Sequence, residues 1–238
     1  MNSLLNIKLM TVIKKYKAIV IKIEKHFENL YTLELKSLGK PFKFEAGQFL
    51  HLAIDDTDFS EQWPESRCFS MQSPPNEDII RITYSVKGYF TTRMENELII
   101  GKKILLKLPY GELFSKEHNK NNTVFIAGGT GITPYISLFN DVSFASYTHP
   151  TIYAGFRNEE MNLYINELTL AKRINPELKL SIIYQDKEGI MDIETILKDS
   201  KTDCSFFISG PPLMINSFKQ FFISNGVHEN RIITDDWE

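Results

Sequence analysis

The segment with the clearest chemical meaning is a glycine-rich turn, Ala127–Pro134 (AGGTGITP), between a short apolar run and a helical pattern. Gly128, Gly129 and Gly131 carry no Cβ, so the backbone there can approach a ligand closely. The free N–H groups and the positive dipole end of the following helix favour an anion such as a phosphate. Pro134 suits the first turn of that helix. The turn is neither a Walker A loop nor G-x-G-x-x-G, and the alternative is a tight strand–helix turn without a ligand.

Cysteine and histidine, the usual ligands of zinc and of iron–sulfur clusters, are few and widely spaced in this sequence. The two cysteines, Cys68 and Cys204, lie far apart and outside any C-x-x-C pair. We therefore expect no disulfide framework, structural zinc site or all-cysteine iron–sulfur cluster. The five histidines show no metal-ligand spacing, so we predict no metal. His51 is interpreted as a core or rim residue of a strand.

Charge and hydropathy exclude two further classes of partner. Acidic residues number 30 and basic residues 27 in a chain of 238, for a formal charge of −3. That balance offers no broad basic surface for nucleic acid. No apolar run approaches the roughly 18 residues of a membrane helix, and the N-terminus lacks a signal-peptide core. We predict a cytoplasmic protein without a membrane span.

The elements that must position the turn differ between the two halves of the chain. In the first half, apolar and polar residues alternate with the period of half-buried antiparallel strands. Six short strands separated by turns predict a small antiparallel β-barrel, with one helix inserted over 90–98. The predicted strands span 16–24, 30–36, 48–54, 67–72, 79–86 and 102–108.

In the second half, short apolar strands alternate with helical segments. This order predicts a Rossmann-like α/β domain, a parallel sheet with helices on both faces. The predicted strands span 123–127, 151–155, 178–184, 205–209 and 231–234, and the main helices 133–144, 159–172, 193–198 and 211–224. The polar stretch 115–122 divides the chain into domains 10–117 and 118–238. Two interpretations of the N-terminus stay open: Met10 is an alternative start, or residues 1–10 form a short disordered extension.

Several motifs in a fixed order resemble those of the ferredoxin–NADP reductase superfamily, whose members join a flavin barrel to a nicotinamide-nucleotide domain. The resemblance runs from about Tyr16 to the end of the chain and implies the same two domains here. The motifs are Gly47-Gln48-Phe49, Arg67-Cys68-Phe69-Ser70, Gly88–Thr92, Pro109-Tyr110-Gly111, Gly128–Pro134 and Ser209-Gly210-Pro211-Pro212, with Trp237 close to the C-terminus.

The resemblance implies a flavin site on the barrel. Arg67 is expected to pair with the flavin diphosphate through its fork of donors. Phe69 would pack flat against the isoalloxazine ring, and the Ser70 hydroxyl would reach flavin N5. The further expected flavin contacts are Cys68, Val86, Lys87, Gly88, Thr91 and Thr92. The alternatives are a solvated surface arginine, an ordinary alternating strand, and simple N-capping by threonine.

The resemblance also implies a nicotinamide site on the second domain. Its expected contacts are Gly128, Gly129, Thr130, Gly131, Ile132, Thr133, Pro134, Gly210, Pro211 and Pro212. Ser209 stands where the family has a cysteine beside the nicotinamide ring, which predicts altered hydride-transfer geometry or rate. Trp237 would cover the other flavin face, and Asp235 would carry a proton. The alternatives are an aromatic anchor for the C-terminus and a solvated terminal charge.

Two positions bear on the nucleotide that is used. NADPH-preferring members present a Ser-Arg pair where this chain has Gln185-Asp186. An acidic side chain repels a 2′-phosphate and accepts a hydrogen bond from a ribose hydroxyl, which favours NADH. Arg157 is expected to contact the nucleotide, and either Arg157 or Lys187 could instead reach a phosphate. The family mostly uses FAD, so FAD is favoured over FMN.

The implied activity is hydride transfer from NAD(P)H to the flavin, followed by electron transfer to a separate acceptor. A ferredoxin, a flavodoxin or an oxygenase component would fill that role. One alternative is an NAD(P)H:free flavin reductase, for which flavin is a substrate. Another is a non-catalytic nucleotide-binding regulatory module.

Overall fold

Antiparallel strands with one buried face build the first half of the molecule in a computed structural model, which describes residues 12–60 and 62–235. They are β1 (Lys14–Phe27), β2 (Leu30–Ser37), β3 (Phe49–Ala53), β4 (Ser66–Ser70), β5 (Ile79–Ser85) and β6 (Lys103–Tyr110). Their order is β4-β3-β6-β1-β2-β5. Alternate residues such as Leu33, Leu35 and Leu50 are fully buried in one core. The predicted six-stranded antiparallel barrel is confirmed.

The barrel has a seam between β4 and β5, the two ends of the sheet order. Just beyond β4, Gln72 N–H donates to the Arg81 carbonyl at 2.8 Å, and Arg81 N–H donates to Ser73 Oγ at 3.1 Å. Toward the other end, the rings of Phe69 and Tyr84 meet edge to face with centroids 6.0 Å apart. Hydrogen bonds therefore close the seam at one end, and aromatic side chains border it at the other. Helix α1 (Tyr89–Glu97) follows β5.

The second half folds as a parallel sheet. Its strands are β7 (Thr123–Gly128), β8 (Thr151–Phe156), β9 (Lys179–Tyr184), β10 (Ser205–Ser209) and β11 (Ile232–Thr234), in the order β11-β10-β7-β8-β9. Phe125 and Phe207 pack into one apolar cluster and Ile126 and Ile208 into another. Helices cover this domain as α2 (Thr133–Phe139), α3 (Ile165–Ile174), α4 (Gln185–Glu188), α5 (Ile193–Asp199) and α6 (Pro212–Ser224). The predicted Rossmann-like half is confirmed.

The strand order places a switch point between β7 and β10. From β7 the chain proceeds outward through β8 and β9, and then returns to add β10 on the other side of β7. Open α/β sheets bind ligands at the carboxyl ends of the strands that flank such a point. The glycine-rich turn follows β7, and Gly210 follows β10. Both predicted loops therefore lie at this edge.

Two predicted helices are shorter than the sequence pattern indicated. The segment 133–144 is divided, because α2 ends at Phe139 and a separate 3-10 turn covers Val142–Ser146. The Asp141 carboxylate accepts from Ser143 N–H at 2.8 Å and begins that turn. The Asn158 side chain likewise accepts from Met161 N–H at 3.0 Å, so a 3-10 turn replaces the predicted start of α3. Short polar side chains compete with helix hydrogen bonds in this way.

The two halves are packed directly against each other. The buried Ser137 hydroxyl of α2 donates to the Ser73 carbonyl of the barrel at 2.8 Å. Leu113 and Phe114 leave the barrel and pack against the core of the second sheet. The division at residues 117 and 118 stays a prediction, and residue 10 lies outside the described ranges. No helix within those ranges is long and apolar enough to cross a membrane.

Candidate functional site

A single cleft of about 1510 Å³ runs from the barrel seam to the switch point of the parallel sheet. Ligand pockets usually measure about 300–1,000 Å³, so this cleft has room for an extended ligand or for two ligands side by side. The predicted site residues that line it are Cys68, Phe69, Ser70, Val86, Lys87, Gly128, Gly129, Thr130, Gly131, Thr133, Arg157, Ser209, Gly210, Pro211, Pro212 and Asp235.

Other predicted site residues lie beside the cleft rather than in its lining. They are Arg67, Gly88, Thr91, Thr92, Ile132, Pro134 and Asp186. Ile132 and Pro134 are buried beneath the glycine-rich turn, where they support it. Trp237 lies outside the described residues.

The two loops of the nucleotide half touch backbone to backbone. A Cβ added to Gly131 would lie 2.6 Å from both Cα and N of Gly210 and from the Ser209 carbonyl carbon. A Cβ on Gly128 would lie 2.8 Å from the Met214 sulfur. These glycines are therefore required for the two loops to approach each other.

Gly129 has a different role in the same turn. Its φ of +55° falls in the left-handed region, and a Cβ there would meet nothing within 4 Å. It follows the last residue of β7 and lines the cleft, so the backbone there faces ligand space. The same open space surrounds glycines of other turns, such as Gly39 and Gly101, so phosphate binding at this turn stays a prediction.

A hydroxyl and a carboxylate meet at the floor of the cleft. Ser209 Oγ at the end of β10 donates to Asp235 Oδ2 at 3.1 Å. Asp235 N–H donates to the Ile208 carbonyl at 3.0 Å, which fixes that residue beside the strand. Below them, burial and then the Asp235 carboxylate raise the pKa of Tyr135. Residues 26 positions apart thus form one polar pair facing the cleft.

The barrel wall of the cleft carries the predicted flavin strand. Phe69 is half-buried and borders the seam with Tyr84, and the half-buried Ser70 follows it into the lining. Cys68 Sγ lies 3.4 Å from His51 Nε2. Burial raises the pKa of the Cys68 thiol and lowers that of the His51 imidazole. At neutral pH this pair is therefore a protonated thiol beside an uncharged ring, and it packs rather than reacts.

Arg67 projects beside the start of α1. Its guanidinium carbon lies 5.2 Å from the centre of the Phe90 ring, on the first turn of that helix. Nη1 donates to the Ser66 carbonyl and Nη2 to the Glu65 carboxylate, each at 2.9 Å. The side chain is 53% exposed, so an incoming anion can reach it.

The start of α1 is capped from within. Thr91 Oγ1 accepts from the N–H groups of Lys87 at 2.9 Å and Gly88 at 3.2 Å. Thr92 N–H donates to the Gly88 carbonyl at 2.9 Å. The capping role that we kept as an alternative is therefore present. No acidic residue occupies the first turn of this nine-residue helix, and a helix start of that kind favours an anion.

The residues beside β8 and β9 bear on nucleotide choice. Arg157 follows β8 and lines the cleft, and its carbonyl accepts from Asp186 N–H at 3.0 Å. Asp186 is exposed in α4, immediately after the cleft-lining Gln185. Lys187 forms an ion pair with Glu159 at 2.7 Å. Among the described residues, no carboxylate forms an ion pair with Arg157.

Some lining residues were missed by the sequence analysis. Tyr84 carried a signal, since it alternates on a strand ending at the predicted flavin contacts Val86 and Lys87. The β1–β2 turn also reaches the cleft, and its Asn29 carbonyl accepts from Val86 N–H at 2.8 Å. Ile190 and Leu213 form an exposed apolar rim. No local pattern marked those two, because only the tertiary fold brings them to the cleft.

The residues present fit a flavin and a nicotinamide nucleotide. A planar aromatic ligand needs apolar walls, which Phe69 and Tyr84 provide. A diphosphate needs N–H donors and a cation, which the start of α1 and Arg67 provide. A second diphosphate finds an open backbone at Gly129. Both ligands would meet within one cleft.

Comparisons with known proteins agree with this geometry. Residues 125–220 match the family described as the oxidoreductase NAD-binding domain. The chain is 26% identical over 223 residues to a flavohemoprotein of Rhizobium meliloti (strain 1021), covering 85% of this chain and 55% of that protein. It is 25% identical over 238 residues to the reductase component of propane 2-monooxygenase from Mycolicibacterium goodii, covering 92% and 66%. The chain thus spans just over half to two thirds of these relatives.

A solved structure shows the same fold over its whole length. It is a ferredoxin–NADP⁺ reductase of Neisseria gonorrhoeae with bound FAD and NADP. The TM-score is 0.78 at 18% identity, and the match covers 93% of this chain and 98% of that one. At this identity the similarity establishes the two-domain architecture.

Proposed function

We propose that this chain is an NAD(P)H-dependent flavin oxidoreductase, because it shares its two-domain fold with a ferredoxin–NADP⁺ reductase and its residues 125–220 match the oxidoreductase NAD-binding domain. The observation that carries this proposal is the single cleft. It joins Phe69 and Ser70 on the barrel to Ser209 and the glycine-rich turn on the parallel sheet. A fold that kept the domains without turnover would not need both sets of residues to face each other.

Arg67, Phe69, Ser70 and the start of α1 would hold the flavin, with FAD favoured over FMN. When bound, the flavin accepts a hydride from the nicotinamide nucleotide and passes the electrons to an acceptor. Phe69 orients the ring, and Arg67 with the backbone of α1 binds the diphosphate. The glycine-rich turn and Arg157 bind the phosphates of the nucleotide. The chain thereby holds the flavin and the nicotinamide nucleotide close together and in a fixed orientation. Such positioning supplies much of an enzymatic rate.

The polar groups on the floor of the cleft orient and hold protons. The Asp235 carboxylate accepts a hydrogen bond from the Ser209 hydroxyl and fixes that hydroxyl at the end of β10. Ser209 replaces the cysteine of the family pattern. A hydroxyl that already donates its proton to a carboxylate would therefore lie beside the nicotinamide. On the barrel side, Ser70 presents a hydroxyl to the flavin. We assign hydrogen-bonding roles to both.

The acceptor proposed for these electrons is a separate protein. The relatives include reductase components of propane 2-monooxygenase and phenol 2-monooxygenase. That favours an oxygenase component, with a ferredoxin or flavodoxin as the other candidate. A direct test is FAD-dependent oxidation of NADH with ferricyanide as a one-electron acceptor. We expect flavin-free protein to gain activity with added FAD until the rate saturates, and flavin-free protein that gains no activity when FAD is added would refute the proposal.

NADH is the proposed reductant, and Asp186 is the residue that decides it. Replacing its carboxylate removes a charge that repels a 2′-phosphate next to Arg157. We expect Asp186→Ser to shift the ratio of kcat/KM for NADPH over NADH upward by about tenfold, equivalent to about 1.4 kcal/mol. Steady-state kinetics with both nucleotides measures this ratio.

The matched control for that substitution is Asp199→Ser, at the exposed end of α5 in the same domain. It removes the same charge away from the cleft and should leave the ratio unchanged. An equal shift in both variants would show that overall charge, rather than Asp186, sets the preference.

A further inference from the structure

The Glu65 carboxylate forms an ion pair with Arg67, the arginine that is proposed to bind the flavin phosphate. Its Oε1 lies 2.9 Å from Nη2 of Arg67, and the Ser66 carbonyl accepts from Nη1 at the same distance. Both arms of the guanidinium fork therefore have partners in β4 or immediately before it. Arginine binds a phosphate most strongly when two parallel N–H groups of this fork are available.

Glu65 forms no hydrogen bond with Arg93, the other nearby arginine. Arg93 donates to Asp55 at 2.9 Å and to Glu97 at 2.7 Å, so two carboxylates already balance its charge. Glu65 Oε2 lies 3.9 Å from Arg93 Nη1, beyond hydrogen-bond distance. The principal partner of Glu65 is therefore Arg67.

The pair is placed where a flavin phosphate would arrive. The Arg67 guanidinium packs over Phe90 in the first turn of α1, whose N–H groups form the other half of the proposed diphosphate site. Glu65 and Arg67 are 39% and 53% exposed, so water screens their attraction and a ligand can displace it. A carboxylate beside this site also repels the phosphate directly.

From this arrangement we infer that Glu65 is a specificity-determining residue that competes with the flavin phosphate for Arg67. It weakens the binding of phosphorylated flavins and lets them exchange with solution. The inference rests on the proposed function, because it assumes that Arg67 binds the flavin phosphate. It also bears on whether flavin acts as a retained cofactor or as an exchanging substrate.

The test is equilibrium binding of FAD, FMN and riboflavin to the flavin-free protein, followed by flavin fluorescence. We expect Glu65→Gln to tighten FAD and FMN by about two- to fivefold, the range set by an exposed ion pair. Riboflavin has no phosphate, so its affinity should be unchanged. The gain should shrink as salt is raised.

Two matched variants isolate the mechanism. Glu77→Gln removes a carboxylate from the Glu77–Arg81 pair, 2.6 Å long and also on the barrel, and should leave all three affinities unchanged. Arg67→Gln should weaken FAD by about tenfold or more, as the loss of charge-assisted hydrogen bonds predicts. Adding Glu65→Gln to Arg67→Gln should give only a small further gain, because the competition for Arg67 is already gone and only the direct repulsion of the phosphate is relieved.

Three results would overturn the inference. The first is that Glu65→Gln tightens riboflavin binding as much as FAD binding. The second is that Glu65→Gln gives its full gain in FAD affinity in the Arg67→Gln background. The third is that Glu65→Gln weakens FAD binding, which would mean that Glu65 supports Arg67. The proposed function fails differently. It is refuted if neither the wild type nor any variant binds FAD, whereas an Arg67→Gln variant that binds FAD as well as the wild type does removes only the premise that Arg67 holds the phosphate.

Discussion

Gly131→Ala is expected to lower NADH affinity by at least about tenfold and to destabilise the fold by about 1–3 kcal/mol. The added Cβ would lie 2.6 Å from Cα and N of Gly210, which are backbone atoms and cannot rotate away as a side chain can. The two loops must separate, and the backbone that faces the nucleotide phosphates moves with them. Thermal unfolding and nucleotide titration measure the two effects.

The control for this substitution is Gly39→Ala, in the turn after β2. A Cβ there would meet nothing within 4 Å, and the position lies outside the cleft. It should leave both the melting temperature and NADH binding close to those of the wild type. If Gly131→Ala behaved in the same way, the close contact between the loops would not matter for binding.

Ser70→Ala is expected to slow flavin reduction by about 10²- to 10³-fold while FAD binding is nearly unchanged. The hydroxyl at this position lines the cleft at the end of β4, beside Phe69. In the proposed function this hydroxyl hydrogen-bonds the reacting edge of the flavin, whereas affinity would depend mainly on Phe69, Arg67 and α1. Rapid mixing with NADH gives the rate, and fluorescence titration gives the affinity.

Ser85→Ala provides the comparison, because Ser85 also lines the cleft but stands at the end of β5. Its loss should change the reduction rate little. A parallel decrease in both variants would indicate general damage to the cleft. A normal rate for Ser70→Ala would remove Ser70 from the proposed machinery.

The strands were predictable because their signal is local. Period-two alternation marked the barrel strands predicted at 16–24 and 30–36, turn residues delimited the other four, and short apolar runs marked the parallel strands. The helices after β7 and β8 were less predictable, since Asp141 and Asn158 divert the backbone into separate turns through their own side chains. A hydrophobic pattern does not register such competition.

The candidate site shows the same division between local and tertiary information. The glycines, Phe69 and Ser70 stood in recognisable motifs, and the fold brings them into one cleft. The hydrogen bond between Ser209 and Asp235 depends on the pairing of β10 with β11, which no spacing rule reveals. Glu65 carried no such signal, because it precedes β4 and the predicted strand began at residue 67.

The proposed function requires that a nicotinamide nucleotide and a flavin meet in this cleft so that one reduces the other. The most direct test mixes FAD-loaded protein with NADH, and separately with NADPH, in the absence of oxygen. We predict that the flavin absorbance bleaches within a single turnover, faster with NADH than with NADPH. A flavin that stays oxidised with both nucleotides would contradict the account.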